Sequence, residues 1–384
     1  DAALARFRAS PTVARLDLAR LLFDRASCLP RMRKPELFPD ALAGYAEALA
    51  RLREEGDRLA VADCLLNTGA CYDDWDNDQK PLRAIHDLRP LARHYYTDGL
   101  ALYEQTGTPD DIAWALMLRG NFLGKWAREV GQPPLRDEAS ADLERALKLL
   151  PETGPIARAQ ALLHLGNCLN EANQFSKAVR LQLQACELLR ATGAAGEDRL
   201  RAAIHTLANW YFLRDDPDAA WPYTTEAAAL AERLAQRAGH RAQVIDRRVQ
   251  VLSSYQLAIR IALKRGDPAS AYAYAQRAKG RTLFDLLDRG DGNEATGRAF
   301  GLTAPPSLAE IGQALLPGEA LLDVHTLDKQ GSLVAFLILP GATTVAWHRE
   351  IAGATVNGVV SQWRSRSARH RAAFGRFPPP APPP

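Results

Sequence analysis

Between Pro155 and Thr192 the apolar and polar residues follow a helical rather than a strand rhythm. Ala161, Leu162, Leu165 and Leu169, and then Ala178, Leu181, Ala185, Leu188 and Leu189, recur at intervals of three and four, which places them on one face of each of two helices. Asn173 and Gln174 interrupt the apolar pattern between the two runs. Small residues (Gly166, Ala178, Ala185) stand where one helix backbone would pass close to another. The stretch predicts an antiparallel helical hairpin. Alone, such a hairpin leaves its apolar stripes in water, so copies of it are expected on either side.

The copies are present. Arg201 to Gln236 repeats the pattern with Leu207, Ala208, Tyr211, Ala220 and Ala227, and Leu252 to Leu287 repeats it with Ala262, Ala271 and Ala278. The inter-helix punctuation repeats as well, as Asp215-Asp216-Pro217 and Gly266-Asp267-Pro268. Upstream the units are looser: Leu116 and Gly120 precede Ala139, Leu143 and Ala146, and Leu65, Gly69 and Tyr72 precede Ala92, Tyr96 and Gly99. The first unit, with Ala41, Tyr45 and Ala48 in its second helix, is the least regular. The spacing from Ala178 to Ala220 is 42 residues and from Ala220 to Ala271 is 51, a variable period.

This pattern of small and aromatic positions resembles the tetratricopeptide repeat in a long-helix variant, with about six hairpins over residues 11 to 288. The resemblance implies a mostly α fold, a right-handed superhelical α-solenoid whose first helices line a concave groove. The residue after the close-packing Gly or Ala then points inward: Asn121 after Gly120, Asn167 after Gly166, Asn209 after Ala208. An amide offers both a donor and an acceptor and can pair with the backbone of an extended peptide whatever its sequence. Groove asparagines at this position do that in tetratricopeptide domains, and the resemblance carries the role to these three. The alternative is that each satisfies only a local backbone group. Neighbouring groove positions hold Lys125, His164, Glu171, His205, Phe212, Arg260 and Lys264. That mix is mildly cationic and would suit an acidic or C-terminal peptide, although each cation is also what a solvated surface carries.

Bulk properties narrow the classes. At 384 residues a solenoid plus a second domain is expected rather than one core. Lys and Arg total 48 against 45 Asp and Glu, a formal charge of +3, and Arg364, Arg366, Arg369, Arg371 and Arg376 supply the excess. Basicity is therefore local, and nucleic acid is not expected as a partner: the Arg-rich stretch has no platform on which bases could stack. The abundance of Ala, Arg, Gly and Pro hints at a GC-rich bacterial source. The longest clean apolar run, Leu333 to Leu339, is far short of the ~20 residues that cross a bilayer, so no membrane partner and a cytoplasmic location are expected. Five cysteines (Cys28, Cys64, Cys71, Cys168, Cys186) show no C-x-x-C and read as reduced core thiols. Neither cofactor nor metal is expected.

After Leu287 the character changes. Residues 289–306 are rich in Gly and charge and read as a linker. Ser307 opens a short helix with Glu310 placed for a capping box. Three strands follow, Ala320 to Leu327, Ser332 to Leu339 and Thr343 to Trp347, separated by turns at Asp328 to Gly331 and Pro340-Gly341. Ile351 to Ala373 can form a helix with Val356, Val359, Val360 and Trp363 on one stripe. The order of these elements, with LLPGEALLDVHTLD and PGATTVAWHRE, resembles the opening of a CHAT domain, a caspase-like α/β module, and Ala271 to Leu287 resembles the helix that leads into one. Residues 307–374 would then be a truncated CHAT-like segment and 375–384 a Pro-rich tail, either a polyproline-II ligand or the mark of a cut inside the domain.

The resemblance implies a cysteine peptidase relative, but the residues for that chemistry are missing. No cysteine follows residue 300, and His325, His348 and His370 are not followed by Gly. The expected function is a non-catalytic scaffold or sensor that binds a protein or extended peptide in its groove. The alternative is the regulatory and substrate-docking part of a CHAT-family peptidase.

Overall fold

The structure, a computed structural model of the chain, describes residues 15–32, 34–78, 87–237, 241–291, 307–317, 319–326, 332–341 and 344–350. The helix expected over Ile351 to Ala373, the Arg-rich stretch and the Pro-rich tail lie outside the described residues. Twelve long helices come first: α1 (Arg15–Cys28), α2 (Phe38–Glu54), α3 (Arg58–Asp78), α4 (Arg89–Thr106), α5 (Pro109–Val130), α6 (Pro133–Leu149), α7 (Pro155–Glu171), α8 (Phe175–Ala191), α9 (Glu197–Leu213), α10 (Pro217–Gln236), α11 (Arg241–Lys264) and α12 (Pro268–Asp291). A short helix α13 (Leu308–Ala314) and strands β1 (Leu321–Thr326), β2 (Ser332–Ile338) and β3 (Thr344–Glu350) follow. The fold is mostly α, a tetratricopeptide-like series of helical hairpins followed by a small α/β segment.

Local chemistry sets the helix ends. Five of these helices (α5, α6, α7, α10 and α12) open on Pro, whose fixed φ suits the first helical position and whose missing N–H is not needed there. Thr108 and Asp111 form a reciprocal capping box ahead of α5, as Ser307 and Glu310 do ahead of α13. Four turns between paired helices among the described residues use one left-handed residue: Gly131 between α5 and α6, with φ of 66°, and Asn173, Asp215 and Gly266 in the next three, with φ of 57°, 65° and 71°. The last three recur in register with the packing. They stand five residues before Ala178, Ala220 and Ala271, so the turn keeps the same irregular period as the packing. Asn and Asp are the non-glycine residues best able to adopt that conformation.

The chain divides into two compact units, Asp1–Ala203 and Ile204–Pro384, with the boundary inside α9. In the first unit α1 packs with α2, α3 with α4, α5 with α6 and α7 with α8, and each hairpin packs on the next. Small residues let the helices of a pair close up. A Cβ on Gly120 would stand 2.9 Å from Leu143 Cγ and 3.1 Å from the Ala139 carbonyl, and one on Gly69 would stand 3.1 Å from the ring of Tyr96. The core is a continuous apolar seam through Leu66, Tyr96, Leu116, Phe122, Leu143 and Leu165.

In the second unit α9 meets α10 through Ala208 and Ala220 and through the stacked rings of Tyr211 and Tyr223, 5.7 Å apart. α11 packs against both α10 and α12. The expected meander is present as an antiparallel sheet in the order β1-β2-β3, with Asp323 opposite Phe336 and Phe336 opposite Ala346. Val334, Phe336 and Ile338 of β2 bury one face of that sheet against Ile259, Tyr272 and Ala275. Polar contacts fix its register on α12: Asp323 accepts from Gln276 Nε2 at 2.6 Å and pairs with Lys279. One expectation shifts, because α12 runs to Asp291 and so the stretch read as a linker from residue 289 begins inside a helix. Asp288, Arg289 and Asp291 are polar but not helix-breaking, and composition alone could not separate a last helical turn from a linker.

Phe336 holds this seating. It is fully buried, edge-on to Tyr272 at 5.1 Å and to His325 at 5.7 Å. Phe336→Ala is expected to cost ~3–4 kcal/mol locally, the usual result of emptying an aromatic core position. Hydrogen exchange would register it as lost amide protection along β2 and α13, with residues 109–171 unchanged.

Candidate functional site

Within the first unit the first helices of successive hairpins are neighbours: α5 touches both α3 and α7. α5 is buried along one side by Ala113, Leu116, Gly120, Leu123 and Ala127 and along another by Ala115 and Phe122. One narrow arc stays open, and its residues follow at intervals of four, three and four: Trp114, Leu118, Asn121, Lys125. The burial of Ala159, Ala161, Leu162, Leu165, Gly166 and Cys168 leaves the same arc on α7, occupied by Gln160, His164, Asn167 and Glu171. On α3 the arc holds Asp63, Asn67, Ala70 and Asp74. Gly69, Gly120 and Gly166 set the common register, so the three arcs form one wall.

Five of the residues singled out from the sequence meet on this wall. Asn121 and Lys125 from α5, with Arg128, face His164, Asn167 and Glu171 from α7 across a crevice floored by Gly120, Gly124 and Cys168. The helices approach closely because Gly124 has no side chain; a Cβ there would stand 3.0 Å from Cys168 Sγ. The crevice has a free volume of about 30 Å³. That admits a water or one small head group and excludes the several-hundred-Å³ ligands that occupy small-molecule pockets.

Ion pairing and burial set the charge state of each group around the crevice. Lys125 Nζ lies 3.3 Å from Asp73 Oδ2 on α3, and Asp73 also accepts from Asn77 Nδ2 at 3.1 Å. Burial, helped by the Lys125 charge, lowers the His164 pKa to about 4, so its ring is neutral near pH 7. Burial pushes the Cys168 thiol up to about 11, which leaves no thiolate at the floor. Arg128 lines one edge of the crevice, and Arg136 on α6 donates from Nη1 to the Glu171 backbone carbonyl at 3.2 Å. Lys125, counted among the cations from the sequence, is matched by a carboxylate on α3.

The remaining candidates belong to the second unit. His205 and Asn209 are half-buried on α9, and Arg260 is half-buried on α11. Phe212 and Lys264 engage each other, the ammonium standing 5.0 Å from the ring centroid, and Lys264 also pairs with Asp215. Phe212 and Lys264 thus fasten α9 to α11 as well as bordering the surface. Trp114 and Asp73 were absent from the sequence reading. Trp114 stands seven residues before Asn121, a spacing that could have marked it.

Of the five cysteines four are buried and Cys28 is exposed, which corrects the expectation that all are core thiols. Burial pushes Cys64 and Cys71 up to about 12. His325 is also enclosed: it lies beside Asp323 under Phe336, and burial lowers its pKa. Among the described residues no group of three or more His, Cys, Asp or Glu side chains could hold a metal ion, and no helix is long and apolar enough to cross a membrane.

No family model matches the chain, and no curated protein sequence matches it. Solved structures that overlap it include BtubC (BKLC) from P. vanneervenii, at 18% identity and a TM-score of 0.45, covering 74% of this chain and 98% of that one. PilW, a widely conserved type IV pilus biogenesis factor, overlaps at 16% identity and a TM-score of 0.44, with the same coverage of 74% and 98%. Likeness at that level says nothing about what this chain binds.

Proposed function

We propose that the chain is a non-catalytic scaffold or sensor whose first-helix wall, over α3, α5 and α7, binds an extended peptide or protein segment. The observation that carries this reading is the equivalent placement of Asn121 and Asn167 on adjacent helices, half-buried beside one crevice too small for a cofactor. Amides so spaced can donate to and accept from successive peptide groups of a ligand. Neighbouring helices pack ~8–10 Å apart, close to the reach of three extended residues. By the same repeat resemblance Asn209 takes the equivalent role within the second unit, taken by itself, with His205, Phe212, Arg260 and Lys264 as bordering positions there.

The CHAT-like resemblance enters as a second reading, favoured by the seating of the α/β segment directly on α12 through Phe336 and Asp323. On that reading the repeats dock a substrate for a peptidase module, and His325, enclosed beside Asp323, holds the sheet rather than acting as a base.

A peptide array overlaid with the labelled full chain tests the main reading. The wild-type chain is expected to select a subset of peptides, and Asn121→Ala/Asn167→Ala is expected to weaken those by at least about tenfold while leaving the helical circular dichroism unchanged. Selection that ignores both asparagines would remove the basis of the proposal.

A further inference from the structure

A larger hollow lies between the second helices of the first two hairpins. α2 and α4 both pack on α3, and over the start of α3 they leave a groove with a free volume of about 430 Å³. Small-molecule sites have that size, whereas the crevice beside Asn121 does not reach it. The floor is apolar: Leu52, Val61 and Leu65 are buried, and Leu102 of α4 is half-buried. Such a floor takes up a hydrocarbon body and offers nothing to a polar one.

The groove's cations stand at one corner. Arg53 lies in the last turn of α2 and Arg58 opens α3, and the chain turns between them on Gly56, with φ of 73°. The Gly56 N–H donates to the Arg53 carbonyl at 3.3 Å and the Asp57 N–H to the Leu52 carbonyl at 3.2 Å. The carbonyls that end α2 are thereby capped and do not confront an anion. Arg53 pairs with no carboxylate among the described residues, and Arg58 engages a neutral amide, Nη2 to Gln105 Oε1 at 2.5 Å. Both guanidiniums line the groove with their charge unmatched.

The nearby carboxylates are accounted for. Asp98, on the lining, stands seven residues before Gln105, about 10 Å along the α4 axis, and lies 3.6 Å from His94. Asp57 accepts from the Ala60 N–H at 3.1 Å and lies 4.0 Å from Arg20. Glu54 and Glu55 flank the corner in sequence but are exposed and do not line the groove, so solvent and salt screen them.

We infer that this groove binds a small monocarboxylic acid with an apolar body, its carboxylate held by Arg53 and Arg58 and its hydrocarbon laid on Leu52, Val61, Leu65 and Leu102. The guanidinium fork matches a carboxylate in shape, and hydrogen bonds between ionised partners are the strong ones. One acid group is specified because a second, at the far end of the body, would meet Asp98. The site is separate from the first-helix wall and does not rest on its peptide-binding reading.

The test titrates the full chain with 11-(dansylamino)undecanoate and displaces that fluorescent probe with decanoate, decanol, decylamine and decanedioate. Decanoate is expected to displace it at least about tenfold better than decanol or decanedioate, with the gap to decanol narrowing as salt rises. Arg53→Gln/Arg58→Gln is expected to weaken decanoate about tenfold, to the level of decanol. Asp98→Asn is expected to bring decanedioate close to decanoate. Ala101→Glu, at an exposed position of the lining, is expected to weaken every competitor. All four positions are exposed, so the helical circular dichroism should not change.

Equal displacement by decanoate and decanol, or by decanoate and decanedioate, overturns the inference. So does a gap between decanoate and decanol that survives the double Gln variant, or stronger displacement by decylamine. Absence of probe binding, or probe binding indifferent to Ala101→Glu, overturns it as well. Tighter displacement by an acetylated tetrapeptide ending in Leu than by decanoate would assign the groove to a chain terminus and also overturn it.

Discussion

Asp142→Ala is expected to destabilise the chain by ~3 kcal/mol, read as a lower urea midpoint with the slope unchanged. Asp142 on α6 takes both arms of Arg119 on α5, Nε to Oδ2 at 2.8 Å and Nη2 to Oδ1 at 2.7 Å. The two side chains are only 8% and 16% exposed. Removing the carboxylate leaves a largely buried guanidinium without its bidentate partner, with only the more distant Glu138 and Glu104 carboxylates acting on it, and that cost exceeds what the pair contributes when intact. The value is set at the low end of the usual range because part of Arg119 still reaches solvent. Arg119→Met/Asp142→Leu is expected to recover most of the loss, since an apolar pair of similar volume leaves no stranded charge. A loss below ~1 kcal/mol for the single variant would mean the bond is weaker than its geometry implies.

His164→Gln is expected to flatten the acid limb of the stability curve. The folded-state pKa of His164 is about 4, below its ordinary value of 6.5, through burial first and Lys125 second. Between these two values the unfolded chain binds the proton more readily than the folded chain, so stability rises with pH and levels off above about 6.5. Acidification from 6.5 toward 4 removes that contribution. His164 keeps some exposure, so the loss is set at ~1–2 kcal/mol by pH 4.5 rather than the full shift. Gln cannot titrate and fills similar space, so the variant should show a smaller difference between pH 7 and pH 4.5. His325, whose pKa is also lowered, keeps a residual slope of the same sign. An unchanged acid limb in His164→Gln would mean the ring takes up its proton in the fold as easily as out of it.

The helices and their turns were legible in the sequence because both are local. Apolar spacing of three and four fixes a helix face, and Asn173, Asp215 and Gly266 mark the one turn residue that must be left-handed. The capping box at Ser307 and the strand meander were legible for the same reason. Partners across elements were not. Asp73 and Lys125 are 52 residues apart, and nothing in the spacing of either helix announces that one neutralises the other. The spacing along α5 shows Lys125 as an open cation, and only α3 shows the carboxylate that matches it. Lys264, matched to Phe212 and Asp215, illustrates the same limit in the second unit. Trp114 was hidden differently. An aromatic residue inside an apolar helix reads as core, and only the burial of Ala113 and Ala115 on either side shows that its own arc is open.

The half-buried placement of Asn121 and Asn167 beside one crevice followed from the repeat register, since Gly120 and Gly166 mark the crossings and the next residue turns outward. Their neighbours Lys125, His164 and Glu171 followed from the same count. The chemistry of those neighbours did not, because a histidine held neutral by its surroundings and a lysine held by a distant carboxylate carry ordinary names in a sequence.

Site-directed photo-crosslinking bears most directly on the central claim that the first-helix wall holds the ligand. A benzophenone side chain at Gln160, on the open arc of α7, is compared with one at Glu187, an exposed position on α8, each in the full chain with an array-selected peptide. The account expects the peptide to be captured from position 160, to be lost from it in Asn121→Ala/Asn167→Ala, and not to be captured from position 187. Capture from position 187 with none from position 160 would place the ligand on the second helices and contradict the account.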